Sequence, residues 1–223
     1  TWVDQRLGRQ RSDEWFEEWW STRTELRPST VARDQSLYRN HVLSHFGGVA
    51  LSSIDYPLVT AWVASLRDRG LAPATVRRCH LLLSKLLSGA VKAKRIPRNP
   101  CEDTDNLPPL DRKEMRIVTA TQLQHLARSM HEVTIERLER HLPSVRLSKS
   151  EMRRIADSFA VFVLLGGYGG LRFGELAGLR TNKIDTVRRT VRVDTSLIEV
   201  RGALIEGRPK TAAGIRTVPL PRS

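Results

Sequence analysis

Gly166-Gly167-Tyr168-Gly169-Gly170-Leu171-Arg172-Phe173-Gly174-Glu175-Leu176-Ala177-Gly178-Leu179 is the stretch on which the reading of this chain turns. The apolar run Phe159 to Leu165 precedes it, so the pattern predicts a buried helix from about Arg154 to Leu165, a glycine-rich turn, and a short helix. Glycine frees the backbone for tight turns, so an arginine can leave a packed core at a fixed position. Arg172 sits at the mouth of the short helix, and Glu175 follows three residues later. A guanidinium is a planar fork matched to phosphate oxygens, and it stays charged at every relevant pH. Held in place, it could grip a phosphate and stabilise negative charge as it develops. The plainer alternative is an ion pair between Arg172 and Glu175.

Thirty-eight residues after Arg172 stands Pro209-Lys210-Thr211, which reads as the turn of a β-hairpin. A lysine at a hairpin tip is a compact donor able to reach a DNA groove or protonate a leaving oxygen. Taken alone, it is equally an exposed turn lysine. Short β-rich runs surround it, at Thr190 to Val193, Leu197 to Val200 and Arg216 to Leu220, separated by Gly, Asp and Pro. Upstream, Ile117 to Thr121 leads into a helix from about Thr121 to Met130. Residues 131 to 157 are charged and read as helical, with a break around Pro143.

Outward from this motif the composition is strongly basic. The 223 residues hold 37 Lys and Arg against 24 Asp and Glu, a formal charge of +13. That excess suits a polyanionic partner, DNA or RNA by default, with solubility as the bland alternative. The two cysteines, Cys79 and Cys101, have neither zinc-ligand nor redox spacing, so no metal or cofactor and no disulfide framework is expected. Nothing approaches the apolar length of a membrane span, and no secretory signal is visible. A reducing, cytoplasmic setting fits. A chain that begins at Thr1 and ends at Ser223, just past an expected strand, reads as cut at both ends.

The N-terminal part, to about residue 113, reads as all helix. Ser12 or Asp13 could cap a helix bearing Trp15, Phe16, Trp19 and Trp20. All five tryptophans fall within the first 62 residues, where filling a small helical core is their simplest role. Pro28 opens a second helix to about Ser44, with Val31, Tyr38 and Val42 on one side and Arg33, Ser36 and Asn40 on the other. A third covers roughly Tyr56 to Arg69.

The fourth helix, Ala74 to about Lys92, sets Val76, Cys79, Leu82, Leu83, Leu86, Leu87 and Ala90 on one face. Arg77, Arg78, Ser84, Lys85, Ser88 and Lys92 line the other. From Arg69 to Cys101 there are eight Lys or Arg and no Asp or Glu. An ordinary solvated face mixes signs, whereas a one-signed face suits a phosphate backbone that releases counterions as it is neutralised. Pro97, Pro100, Pro108 and Pro109 then mark a linker between two domains.

Together, Gly170-Leu171-Arg172-Phe173-Gly174-Glu175-Leu176-Ala177-Gly178-Leu179-Arg180 and Pro209-Lys210-Thr211-Ala212-Ala213-Gly214-Ile215-Arg216-Thr217-Val218-Pro219-Leu220-Pro221 resemble the catalytic domain of the tyrosine recombinases, the phage-integrase family. Leu71-Ala72-Pro73-Ala74-Thr75, opening a basic helix that runs to Asn99-Pro100, is similar to that family's core-binding domain. The resemblance spans nearly the whole chain. It implies a mainly α fold with a small antiparallel β-sheet: a helical SAM-like core-binding domain over residues 1–112, then a partial α+β catalytic domain over 113–223.

By position, Arg172 matches the arginine that holds the scissile phosphate, and Lys210 the hairpin lysine acting as general acid toward the 5′-hydroxyl. Glu175 matches the acidic residue that supports the site. Arg33, Asn40, Thr75, Arg77, Arg78, Lys85, Lys92, Lys94 and Arg95 are the positions expected against DNA. The implied activity is site-specific recombination through a 3′-phosphotyrosyl link, without metal or cofactor. The implied partners are double-stranded DNA, a homotetramer in the complete enzyme, and accessory DNA-bending or directionality proteins.

The family also needs a His-x-x-Arg element, a further His or Trp and a nucleophilic tyrosine beyond the hairpin, and these are not in the 223 residues. His125-Leu126-Ala127-Arg128 has matching letters but lies upstream of Arg172. The tyrosines are Tyr38, Tyr56 and Tyr168, and Tyr168 reads as a packing residue. The chain alone is therefore expected to be inactive. The 131–157 stretch is longer than usual for the family, as a contact to a neighbouring subunit or a regulatory insertion would be. A truncated, non-catalytic DNA-binding regulator of recombination is the alternative reading, and an RNA-binding protein a weaker one.

Overall fold

Pro73 starts helix α5 (Pro73–Lys92), where its fixed φ suits the first turn and its missing N–H costs nothing. Each of the seven apolar positions expected inside, from Val76 to Ala90, is buried. Around this helix pack α1 (Ser12–Ser21), α2 (Pro28–Leu37) and α4 (Tyr56–Asp68), with the short α3 (Leu43–Phe46) against α1. The computed structural model describes residues 7–110, 114–141 and 147–221. Within it the chain divides into two units, Thr1–Lys113 and Glu114–Ser223.

The tryptophans of the first unit are core residues. Trp15, Trp19 and Trp62 are buried, Trp20 packs beside them, and Trp2 lies outside the described residues. Their indole N–H groups find buried acceptors: Trp15 donates to the Leu86 carbonyl and Trp62 to that of His41, each at 3.0 Å. Capping of α1 differs from expectation. Arg11 occupies the cap position without a side-chain cap bond, while the buried Ser12 hydroxyl donates to the Phe46 carbonyl. Asp13 accepts instead from Arg11 and from the Gly48 amide. Both side chains are drawn to the chain around Phe46 to Gly48, not to the helix they open.

The helix expected to run unbroken from Pro28 to Ser44 contains a π turn at Tyr38–Val42, where the Leu43 amide reaches back five residues to Tyr38. The extra residue per turn keeps both Tyr38 and Val42 buried across the change of pitch.

In the second unit α6 (Ala120–His141) lies along α7 (Lys149–Gly169), and the short α8 (Phe173–Ala177) follows. The helix expected from about Thr121 to Met130 and the charged stretch expected to be helical after it form one element that runs to His141. The break expected around Pro143 lies outside the described residues. The helix expected to be buried from Arg154 to Leu165 is largely open: Ala156 is buried, whereas Phe159 and Val161 are each 47% exposed.

The glycine-rich turn is also shorter than the motif implies. Gly166, Gly167 and Gly169 are helical, and Gly170 alone takes the left-handed conformation that ends α7, at φ 61°. Gly167 serves close approach instead: a Cβ there would lie 2.3 Å from a methyl of Leu123 on α6.

Strands β1 (Ile184–Asp185), β2 (Thr190–Val193) and β5 (Arg216–Pro219) form one antiparallel sheet in the order β1-β2-β5, with Val191 opposite Val218. Its inner face, with Val191 and Val193 buried, packs with Leu171 and Leu176 to form a small core. Strands β3 (Ser196–Val200) and β4 (Ala203–Gly207) make a separate hairpin, with Ile198 opposite Ile205. That hairpin turns at Arg201-Gly202, both with positive φ. Lys210 is thus not in the turn of a tight hairpin. It lies in the connection between β4 and β5, just before a 3₁₀ turn at Ala212–Gly214.

Among the described residues, no helix is long and apolar enough to cross a membrane. No group of His, Cys, Asp and Glu among them could hold a metal ion. Both cysteines are free and buried, and burial raises their thiols to about 11 at Cys79 and about 12 at Cys101.

Candidate functional site

At the start of α8 the chain leaves Gly170 and places Arg172 in the cap position, with Glu175 one turn inside. Glu175 is 3% exposed, and each of its oxygens accepts two bonds. Arg172 gives its amide to Oε2 at 2.9 Å and its Nη1 to Oε1 at 3.1 Å. Arg216, from β5, clamps the same carboxylate with both terminal nitrogens, at 3.1 and 2.9 Å. Four donors saturate the acceptor capacity of a carboxylate. Arg216 first, and Arg172 with it, hold the Glu175 carboxyl well down, at about 2. In turn Glu175 raises the Arg216 guanidinium.

Arg172 is the exposed member of this triad. Its side chain is 78% exposed while its anchor is buried, so the fork faces outward from a fixed base. Both readings of Arg172 are therefore met at once, since pairing with Glu175 leaves further N–H groups for an anion. Sequence reasoning did not assign a role to Arg216, which stands 41 residues from its partner. The one signal was its position after Gly214-Ile215, at the first residue of a strand.

Lys210 is exposed, and the loop that carries it is fastened to the same carboxylate. Arg216 Nη1 also donates to the Gly214 carbonyl at 3.2 Å. Gly214 is packed so tightly on buried Pro209 that a Cβ there would lie 2.4 Å from the proline ring. One guanidinium thus ties the Lys210 loop to the residue that orients Arg172.

In the first unit the expected DNA contacts fall into three groups. Arg33 of α2 meets Arg78 and Lys85 of α5 along one groove of about 190 Å³. Thr75, Asn40, Lys92 and Lys94 stand apart from it: Thr75 is half-buried in the first turn of α5, and Asn40 donates to the Ser36 hydroxyl at 3.2 Å. Lys92 and Lys94 are exposed where α5 ends.

Two assigned arginines turn out to hold the unit together. Arg77 Nε donates to the Pro108 carbonyl at 2.7 Å, tying α5 to the proline-rich segment. Arg95 pairs with Glu18 at 2.6 Å, lies 4.6 Å over the Trp15 ring, and has a side chain only 14% exposed. A cation already matched by a carboxylate and an aromatic face, and covered, offers little to a phosphate. Ser84 and Ser88, expected on the basic face, are bound by Asn99, whose amide donates to both hydroxyls.

Residues 13–67 match the family described as phage integrase, N-terminal SAM-like domain. A prophage phiRv2 integrase of Mycobacterium tuberculosis is 25% identical over 209 residues, 92% of this chain and 48% of that protein. A tyrosine recombinase XerC-like protein of Caldanaerobacter subterraneus is 27% identical over 211 residues, 90% of this chain and 49% of that one. The chain thus spans about half the length of the curated relatives it matches. Among solved structures, the Tn1549 transposon integrase in complex with transposon right-end DNA superposes with a TM-score of 0.70 at 19% identity. That match covers 94% of this chain and 61% of that one. A lambda integrase dimer bound to a core site gives 0.57 at 15% identity, over 91% and 51%. The chain thus carries a stretch that matches the SAM-like domain of phage integrases, is similar along most of its length to curated integrases and tyrosine recombinases, and shares the fold of solved integrases.

Proposed function

We propose that this chain belongs to a site-specific DNA recombinase that breaks and rejoins duplex strands through a tyrosine, with the first unit as core-binding domain and the second as the opening part of the catalytic domain. The observation that carries the reading is Arg172: an outward guanidinium anchored on a buried, doubly clamped carboxylate. A surface ion pair needs no such anchoring, whereas a phosphate held through a reaction does. In this reading Arg172 binds the scissile phosphate, and Glu175 positions it. Lys210 protonates the departing 5′-oxygen, Arg78 and Lys85 neutralise the backbone of the bound duplex, and Arg33 faces the same duplex beside them.

The similarity to integrases solved on DNA supports duplex DNA as the partner. Assembly as a tetramer, accessory DNA-bending or directionality proteins, and action on DNA in the cytoplasm complete the proposal. In this reading the 223 residues bind without cutting, their three tyrosines having other places: Tyr38 is buried in the first core, Tyr56 donates to Asp105 at 3.1 Å, and Tyr168 lies on α7, upstream of Arg172.

Two measurements test this. Binding of the chain to duplex DNA and to RNA of equal length, over a range of salt, is expected to favour duplex; RNA preference would overturn the reading. A nicked duplex that traps covalent adducts is expected to capture the full-length gene product and not these 223 residues. An adduct on the short chain would reassign the nucleophile.

A further inference from the structure

The cationic groove of the first unit contains an acid. Asp34 is 7% exposed and lines that groove together with Arg33, Arg78 and Lys85. A carboxylate beside a phosphate backbone weakens binding by like-charge repulsion, so a surface built only to neutralise phosphates has no use for one. Its contacts indicate its role. Arg33 Nε donates to Asp34 Oδ1 at 2.8 Å, and Arg33 Nη2 lies 2.7 Å from the same oxygen.

Those bonds occupy the side edge of the guanidinium, formed by Nε and Nη2. The end edge, formed by Nη1 and Nη2, keeps two parallel N–H groups in a rigid fork. Asp34 is nearly covered, while the Arg33 side chain is 50% exposed, so the fork is held from beneath and opens to the groove. Arginine used end-on in this way matches the O6 and N7 acceptors of guanine in the major groove.

A second observation favours a base edge over a phosphate. Leu81, on α5 between Arg78 and Lys85, lines the same groove and is 53% exposed. A leucine has nothing to offer a phosphate, but it can pack against the methyl group of thymine. The major groove is wide enough to admit an α-helix such as α5.

Resting on the duplex-binding reading above, we infer that Arg33, oriented by Asp34, reads a guanine in the major groove, so that the pair contributes sequence specificity and not only affinity. The test is a pool of random duplexes bound by the chain at fixed salt and sequenced. The wild-type chain is expected to enrich guanine at one position. Asp34→Asn removes a negative charge, so affinity for arbitrary duplex rises, yet preference at that position falls by about tenfold to a hundredfold. Arg33→Lys keeps the charge and leaves Asp34 paired, and it loses the same preference without tightening. If Asp34→Asn strengthens all sequences equally, or the wild type enriches no guanine, the inference is wrong. If the wild type binds no duplex even at low salt, the failure belongs to the duplex-binding reading instead.

Discussion

Glu175 holds two arginines with unequal tasks, and the difference is measurable. Arg216→Ala leaves a buried carboxylate with one exposed partner, and loss of one side of a buried pair costs about 3 kcal/mol. Chemical unfolding of the second unit is expected to record that loss. Arg172→Ala removes an exposed ion pair worth less than about 1 kcal/mol, so stability hardly moves. In the full-length gene product, however, strand cleavage is expected to fall by more than about a hundredfold, the scale for removing a charge-stabilising group. Cleavage at the normal rate in that variant would end the assignment. The Arg172–Glu175 pair was legible because three residues make one helical turn. The Arg216 partner was not, because it arrives through sheet pairing, which a linear motif does not encode. Asp34 was missed for a different reason: a carboxylate next to an arginine in sequence looks like local charge balance until its burial is seen.

Helix α5 was the most legible element, since 20 residues provide more than five turns and all seven apolar positions assigned to one face are buried. Its limits appear where periodicity stops. Lys94 takes a left-handed φ of 57°, and from there Arg95 is carried back under α1. The two kinds of arginine separate by salt titration. Replacing both Arg78 and Lys85 with Ala should reduce the slope of log affinity against log salt by about 2, at roughly 0.9 per phosphate contact. Arg95→Ala should leave the slope unchanged and lower the stability of the first unit. A slope change in Arg95→Ala would return that residue to the interface. Strand β4 escaped notice because its alternation fails: Leu204 is 69% exposed, and glycine closes the strand at Gly207. Missing it moved the expected hairpin turn from Arg201-Gly202 to the neighbourhood of Lys210.

At the scale of the molecule, the two units respond differently to acid. In the first, burial lowers His41, His45 and His80 below their ordinary 6.5. Above 6.5 these groups are neutral whether folded or not. As pH falls past that value the unfolded chain takes up protons that the folded one refuses, so the first unit loses stability. Glu175 acts later: its contribution is complete above 4.5 and is lost as pH falls toward about 2. Amide exchange between these two ranges should therefore speed up first in Thr1–Lys113, and the reverse order would contradict the assignment. The helical first half and the mixed second half were both readable, one from periodicity and charge, the other from the motif around Arg172. The open side of α7 was not, because an apolar helix reads as buried whether or not a layer covers it.

Every tryptophan precedes residue 63, and those described belong to the first core. Tryptophan emission, excited beyond the tyrosine band, therefore reports on the first unit of these 223 residues. A denaturation curve followed by fluorescence describes Thr1–Lys113, while circular dichroism also weighs α6 and α7. Disagreement between the two signals would be the ordinary optical behaviour of a chain whose tryptophans all sit at one end.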